Sequence, residues 1–240
     1  MRADKRQAGD LRPVFLGPGF AKFAFASCFV KFGDTHVLCT ASVEEKVPPF
    51  LRNSGTGWIT AEYGMLPCST QQRMDREAVK GKQTGRTQEI QRLIGRSLRT
   101  VLDLKKLGER VIKIDCDVLQ ADGGTRTASI TGAYVAMYQA AQKLLAQKLI
   151  KEFPIIDQVA AISCGMLGGE SLLDLNYFED SNAEVDANFI LTGTGNIVEV
   201  QACAEKKAFS NDAFQRMLTL AEKGIAELVA LQKQVLKLQA

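Results

Sequence analysis

A glycine pair next to an arginine is the feature of this sequence best suited to holding an anion. Gly123, Gly124, Thr125 and Arg126 follow a strand-like run and open a helical pattern. Glycines let the backbone approach a ligand, and the free amides of a helix start favour negative charge. Thr125 adds a hydroxyl donor, and Arg126 a forked cation for phosphate oxygens. An ordinary turn with a threonine cap is the alternative interpretation.

A second arginine stands in a similar position. Arg86 lies between Gly85 and Thr87, directly before another helical pattern. We expect it to meet the same anion from another side, although helix capping alone explains such a sequence equally simply. The chain has no Walker-type nucleotide loop, so the pattern does not imply ATP use.

Carboxylates are concentrated between Asp174 and Asp186, in what is predicted to be a short loop between two strands. Oxygen-rich clusters suit Mg²⁺ or Mn²⁺ and not zinc. The spacing is not that of an EF-hand, so calcium is not expected. A solvated turn that binds no metal is the alternative.

Residues 67–85 are polar, lack apolar periodicity and are predicted to form a long surface loop. The loop carries four closely spaced cations without interleaved aromatic residues, Arg73, Arg76, Lys80 and Lys82. Such a pattern suits nucleic-acid phosphates better than bases. A solvated loop with no partner is the alternative.

Composition sets the limits for these hypotheses. The chain has 240 residues, 46% of them hydrophobic and 24% charged, enough for one large or two small globular domains. Residues 1–110 hold 19 Lys and Arg against 11 Asp and Glu, whereas residues 111–240 hold 11 against 16. A basic half indicates a polyanionic partner. Six cysteines without a CxxC pair, and no apolar run long enough for a membrane span, predict a cytoplasmic protein with reduced thiols.

The elements expected to position these residues follow from the apolar patterns. A hairpin is predicted over 20–43, a strand over 58–66, a helix after Gly85, a strand over 111–119 and a long helix from Thr127 to about Lys148. Pro154 marks a domain boundary, giving domains 1–150 and 151–240. Beyond it we predict strands near 158–166, 171–177, 186–192 and 196–202, and a last helix capped by Ser210 or Asn211.

Taken together, the motifs resemble the ribonuclease PH family almost end to end. The matching segments occur in the family's order and are Phe32 to Thr35, Val37 to Ser42, Gly57 to Pro67, Gly81 to Gln83, Gly85 to Thr87, Asp115 to Ser129, and Glu179-Asp180 to Asp186. The resemblance implies an α+β fold, with two layers of mixed β-sheet and helices and a long C-terminal helix. It also implies a hexameric ring of identical subunits.

The resemblance further implies what the candidate residues do. Inorganic phosphate, the co-substrate, would be bound by Arg86 and by Gly124, Thr125 and Arg126, while Asp180 and Asp186 would lie beside Mg²⁺ or Mn²⁺. The implied reaction is phosphorolytic removal of 3′-terminal nucleotides from tRNA precursors and other RNA, releasing nucleoside 5′-diphosphates. Catalysis would rest on the two arginines and the two aspartates, because bringing together two anions requires their repulsion to be screened.

Two positions depart from the family pattern. Cys68 stands where the pattern usually has an arginine that helps to hold tRNA, while Arg73 and Arg76 remain in register. Ala202-Cys203 replaces a more usual Gly-Thr, in a strand predicted to be far from every motif.

Two other functions remain open on the sequence. A catalytically silent ring subunit that binds RNA or scaffolds partners is the main rival, although such subunits tend to lose the phosphate arginines or the aspartates. A phosphate-independent hydrolytic nuclease is the other, and its products would distinguish it.

Overall fold

Two β-sheets form the frame of the protein in a computed structural model that describes residues 2–238. The first sheet, in the order β1-β2-β3-β5-β4, contains β1 (Val14–Pro18), β2 (Ala26–Phe32), β3 (Thr35–Glu44), β4 (Trp58–Met65) and β5 (Val111–Gln120). The second, in the order β7-β6-β8-β9, contains β6 (Val159–Leu167), β7 (Glu170–Leu173), β8 (Val185–Thr192) and β9 (Ile197–Ala204). Only β4 and β5 pair in parallel; every other neighbouring pair among the described strands is antiparallel.

Six α-helices and a 3₁₀ turn (Pro49–Leu51) accompany the sheets within residues 2–238. The helices are α1 (Glu77–Lys80), α2 (Gly85–Thr100), α3 (Leu104–Leu107), α4 (Thr125–Ala146), α5 (Tyr177–Asn182) and α6 (Asn211–Leu236). Ser210 caps α6 by accepting a hydrogen bond from the Ala213 amide at 3.2 Å. This confirms the predicted start of the last helix.

Strand alternation determines which face of the first sheet is buried. On β3, Val37, Cys39 and Ala41 are fully buried, whereas His36 and Leu38 point to the opposite face and remain partly exposed. Successive side chains of a strand point to opposite faces. One face of this sheet is therefore core, and the other is open in the single chain.

The long helix α4 links the two sheets. A Cβ on Gly132 would lie 2.7 Å from Val30 Cγ1 of β2, so only glycine fits here. The neighbouring Thr131 Oγ1 accepts a hydrogen bond from the Ala161 amide of β6 at 3.1 Å. One continuous hydrophobic core accordingly includes residues from both sheets. The start of α4, where the candidate anion site lies, is anchored on two sides.

Most predicted elements are present, with ends shifted by a few residues. Sequence patterns missed the short elements β1, α1, α3 and α5. The acidic segment was predicted as a plain loop, which is wrong, because it contains α5. An Asn176–Glu179 capping box starts this helix, each side chain bonding the backbone amide of the other residue.

The α+β architecture agrees with the prediction, while the division into 1–150 and 151–240 stays a prediction. Within the described part of the chain, no helix is long and apolar enough to cross a lipid bilayer.

Candidate active site

The glycine loop connects the end of β5 to the start of α4 and packs against the acidic segment. Gly123 and Gly124 have φ values of 74° and 65°, in the left-handed region that favours glycine. A Cβ on Gly123 would lie 2.7 Å from both the Leu175 carbonyl oxygen and the Asn176 carbonyl carbon. Two segments separated by about 50 residues in sequence thus meet through a contact that requires glycine.

Hydrogen bonds from three directions hold the glycine loop in place. Thr35 Oγ1 donates to the Gly123 carbonyl at 2.6 Å and accepts from the Asp122 amide at 2.9 Å. Arg12 donates to the Asp122 carbonyl, and Asp122 Oδ1 accepts from the Tyr177 amide at 3.1 Å. The loop is therefore a fixed platform, as a site for a small anion requires.

Arginines near the N-terminus bind two of the carboxylates in the acidic segment. Arg12 donates to both carboxylate oxygens of the fully buried Asp174, at 3.0 and 2.7 Å. Arg2 makes a two-point contact with the buried Glu179, at 2.7 and 2.6 Å, and Arg6 lies 3.4 Å from the same carboxylate. Because buried charges need partners, these residues are structural. Sequence reasoning missed all three arginines.

Asp180 and Asp186 have no such cationic partner within hydrogen-bonding distance in the described structure. Asp186 Oδ1 is buried and has no hydrogen-bond partner among the described residues. Asp180 is exposed as a residue, but partial burial of its carboxyl raises its pKa, and the charge of Asp186 raises it further. Two neighbouring carboxylates with an unsatisfied buried oxygen fit a hard divalent cation.

Arg126 and Arg86 lie near this carboxylate pair. The charge of each opposes the rise in the Asp180 pKa, as an opposite charge nearby does. Arg126 Nη1 donates to Gln201 Oε1 at 3.0 Å and lies 3.7 Å from Glu89 Oε2. Arg86 is exposed in the first turn of α2. The four residues predicted to be catalytic are thus drawn from α2, α4, α5 and β8 into one electrostatic neighbourhood.

Tyr63 of β4 contributes a contact that sequence reasoning did not identify. Its hydroxyl lies 2.8 Å from Thr125 Oγ1, and both residues are buried. Burial raises the pKa of Tyr63, while Thr125, Arg86 and Arg126 act in the opposite direction. Tyr63 therefore lies under the predicted phosphate site and fixes the Thr125 hydroxyl. In the sequence, Tyr63 could have been identified as a site residue from its place in a segment that matches the family, Gly57 to Pro67.

The basic loop, residues 67–84, holds its charged side chains less firmly than the glycine loop and the acidic segment do. Arg73 and Lys80 lie 3.2 and 3.6 Å from Asp75, all three being exposed. Arg76 and Lys82 are also exposed. Within residues 2–238, no hydrogen bond or ion pair links the four basic residues to the arginine and aspartate cluster. The structure thus brings the predicted phosphate and metal residues together. The predicted RNA-binding side chains are not bonded to them, although Lys82 lines the same cavity as Tyr63.

Comparisons with known proteins identify the family. The models of the 3′ exoribonuclease family match residues 10–142 (domain 1, RNase PH) and 157–224 (domain 2). A protein of Rhodospirillum rubrum named Ribonuclease PH is 60% identical over 236 residues, which cover 98% of each chain. This chain belongs to the ribonuclease PH family.

Solved structures agree with the ribonuclease PH fold. Rice (Oryza sativa) Rrp46 matches 98% of this chain and 100% of its own, with a TM-score of 0.79 and 19% identity. A chain of the Archaeoglobus fulgidus exosome with RNA bound to its active site matches 95% and 91%, with a TM-score of 0.80 and 20% identity. An archaeal exosome core chain matches 97% and 90%, with a TM-score of 0.75 and 20% identity. At these identities the likeness concerns the fold.

Membership of the ribonuclease PH family confirms the predicted fold and the predicted function, a phosphorolytic 3′ exoribonuclease that uses inorganic phosphate. One position predicted from the family pattern is corrected by the structure. Cys203 was placed far from every motif, but it pairs directly with Asp186 across β8 and β9. The prediction was wrong because Asp186 and Cys203 are far apart in the sequence, and only the pairing of β8 with β9 brings them together.

Proposed function

We propose that this chain shortens the 3′ ends of RNA, tRNA precursors among them, through a site formed by Arg86, Arg126, Asp180 and Asp186. The observation that supports the proposal is that Asp186, Arg126 and Arg86, which belong to three other elements, all act electrostatically on the carboxyl of Asp180. Two anions, RNA and phosphate, must approach each other in this reaction. A site that combines fixed cations with a cation-binding carboxylate pair suits that task.

Inorganic phosphate would bind at the start of α4. Gly124, the cap residue, has no side chain to occupy the first amides of the helix, which remain available to an anion. Thr125 offers a hydroxyl oriented by Tyr63, and Arg126 is positioned by Gln201. Arg86 approaches from the start of α2. Together these groups would hold the nucleophile against electrostatic repulsion.

In the reaction, a phosphate oxygen attacks the last phosphorus of the RNA and the bond to the 3′ oxygen breaks. The electron pair leaves with that oxygen, which needs a proton. A raised pKa suits Asp180 to carry that proton, with Asp186 as the other candidate. The products are a nucleoside 5′-diphosphate and an RNA shorter by one nucleotide.

Asp180 and Asp186 would lie beside Mg²⁺ or Mn²⁺, and the aspartate that does not carry the proton would be its direct ligand. When bound, the ion supplies positive charge that neutralises the phosphate oxygens. Without it, the two carboxylates would repel the substrate.

RNA outside the site would be held by Arg73, Arg76, Lys80 and Lys82.

We further propose a hexameric ring of identical subunits. The open face of the first sheet exposes apolar side chains, among them Phe15, which is 52% exposed. A neighbouring subunit could cover this face in the ring. In such a ring, several copies of the basic loop would face one RNA.

Product analysis tests the function. The protein is incubated with a short RNA, Mg²⁺ and phosphate, and the released nucleotides are separated. Nucleoside diphosphates support phosphorolysis, monophosphates would indicate a hydrolytic nuclease, and no release would indicate a silent subunit. The metal is tested separately, since Mg²⁺ should raise the melting temperature of the wild type and not that of Asp186→Asn.

A further inference from the structure

The thiol of Cys203 lies beside one of the two aspartates of the site. Cys203 is directly opposite Asp186 in the antiparallel β8 and β9 pair, so their side chains share a face of the sheet. Glu205 follows two residues later, and its amide donates to the Glu184 carbonyl at 3.0 Å, which continues the ladder beyond β9. Two carboxylates and one thiol therefore converge on this face of the sheet.

The three side chains are close enough together to reach one metal ion. One ligand atom from each of Asp186, Cys203 and Glu205 lies within 4.8 Å of the others. Ligands of one zinc ion lie about 2.0 to 2.3 Å from it, so modest side-chain rotations suffice to reach a common ion. The group is the one such cluster found among the described residues. Asp186 also has one buried carboxylate oxygen, Oδ1, without a hydrogen-bond partner among the described residues, so protein groups do not saturate this carboxylate.

We propose that Asp186, Cys203 and Glu205 bind a thiophilic divalent cation of the Zn²⁺ class, with water completing its coordination. Thiolate selects zinc over magnesium, because Mg²⁺ takes oxygen ligands and dehydrates reluctantly. Three protein ligands and one open position suit Zn²⁺. Asp186 and Glu205 supply negative charge, and the thiolate adds more when the thiol gives up its proton to bind the metal.

The site has a functional consequence that rests on the proposed role of Asp186. This carboxylate would be shared between the thiophilic ion and the Mg²⁺ or Mn²⁺ held with Asp180. Occupation by zinc would therefore withdraw a ligand from the catalytic pair. Zn²⁺ is expected to inhibit phosphorolysis, and Cys203→Thr is expected to relieve that inhibition.

Binding is tested first, without reference to activity. Co²⁺ is titrated into the metal-free, full-length protein, and the thiolate-to-metal charge-transfer absorption is recorded. The wild type should show the band and lose it on addition of Zn²⁺; Cys203→Thr should lack it. Glu205→Gln should weaken the apparent Co²⁺ affinity roughly tenfold or more. Cys68→Ser is the matched control, since Cys68 is the other exposed cysteine and should not affect the band. A wild type without the band, or a Cys203→Thr protein that keeps it, overturns the proposal.

Activity then separates the metal site from the proposed function. Zn²⁺ should inhibit diphosphate release by the wild type at least tenfold more strongly than release by Cys203→Thr. If the band appears as expected but Zn²⁺ inhibits both proteins equally, the metal site stands and its link to Asp186 in catalysis is wrong. If the band appears and neither protein releases diphosphates with Mg²⁺, the proposed function fails and the metal site remains.

Discussion

Two charged regions of this chain, residues 67–84 and 174–186, differ in how the fold holds their charges. In residues 174–186, Asp174 and Glu179 are 0% and 3% exposed, and N-terminal arginines bind both in two-point contacts. In residues 67–84, the basic side chains are exposed. Among the described residues, Arg73 and Lys80 form ion pairs with the exposed Asp75. Buried pairs resist rearrangement, whereas exposed pairs contribute about 0 to 1 kcal/mol each.

The difference fits the two tasks that we propose for these regions. Chemistry at a small anion needs side chains fixed to within a fraction of an ångström, so the acidic segment and the glycine loop are tied together from several directions. Contact with a long, variable polyanion needs charge more than fixed geometry. We therefore expect mutations in the first region to have large effects that depend on position, and mutations in the loop to have small effects that depend on charge.

The largest effect should come from a residue that touches no substrate. Asp174→Asn leaves the buried Arg12 without its principal counter-charge, and breaking a buried ion pair costs about 3 to 5 kcal/mol. Urea unfolding at matched protein concentration measures the loss. Glu222→Gln, on the exposed face of α6, is the control and should change stability little. An Asp174→Asn protein as stable as that control would show that the acidic segment is held no more firmly than the loop.

Arg126→Ala and Arg86→Ala should come next, affecting activity more than folding. Each removes one cation from the proposed phosphate site, which costs about 2 to 4 kcal/mol in the transition state. Phosphorolysis should fall roughly 30- to 900-fold. Diphosphate release and a melting curve are measured together for each variant. Arg216→Ala, an exposed arginine of α6, is the control for charge. Near-normal release at low phosphate by both variants would remove the arginines from the site.

Local signals were enough to single out the glycines and arginines of the candidate site, whereas contacts between distant segments could not be predicted. Gly123, Gly124 and Arg126 stand together in the sequence, so the helix start identified them without a fold. Arg12 and Asp174 are 162 positions apart, and nothing in either segment indicates that the two meet. The α5 helix was missed for a different reason, because six residues are too few to show a helical apolar period.

The coupling between the two aspartates should be visible in the pH dependence of stability. The raised pKa of Asp180 means that its protonation favours the folded state. That contribution is present below the unfolded value of 3.8 and is lost as pH rises through the raised pKa. Asp180→Asn cannot ionise, so its melting temperature should rise relative to wild type as pH increases. In an Asp186→Asn background the gain should shrink, because one cause of the shift is gone. Equal gains in both backgrounds would contradict the coupling.

The smallest effect belongs to the loop, where Cys68→Arg adds one cation beside Arg73 and Arg76. Cys68 is exposed, so the single chain has room for the longer side chain. One more phosphate contact should steepen the salt dependence of tRNA binding by about one unit of slope and tighten binding by roughly 1 kcal/mol. Phosphorolysis of a very short oligonucleotide, which need not reach the loop, should barely change.

Cys68→Ser controls for loss of the thiol. Binding isotherms at several salt concentrations, with a melting curve, distinguish the alternatives. An unchanged slope with a lowered melting temperature would mean that Cys68 packs against a neighbouring subunit, and that position 68 does not contact RNA.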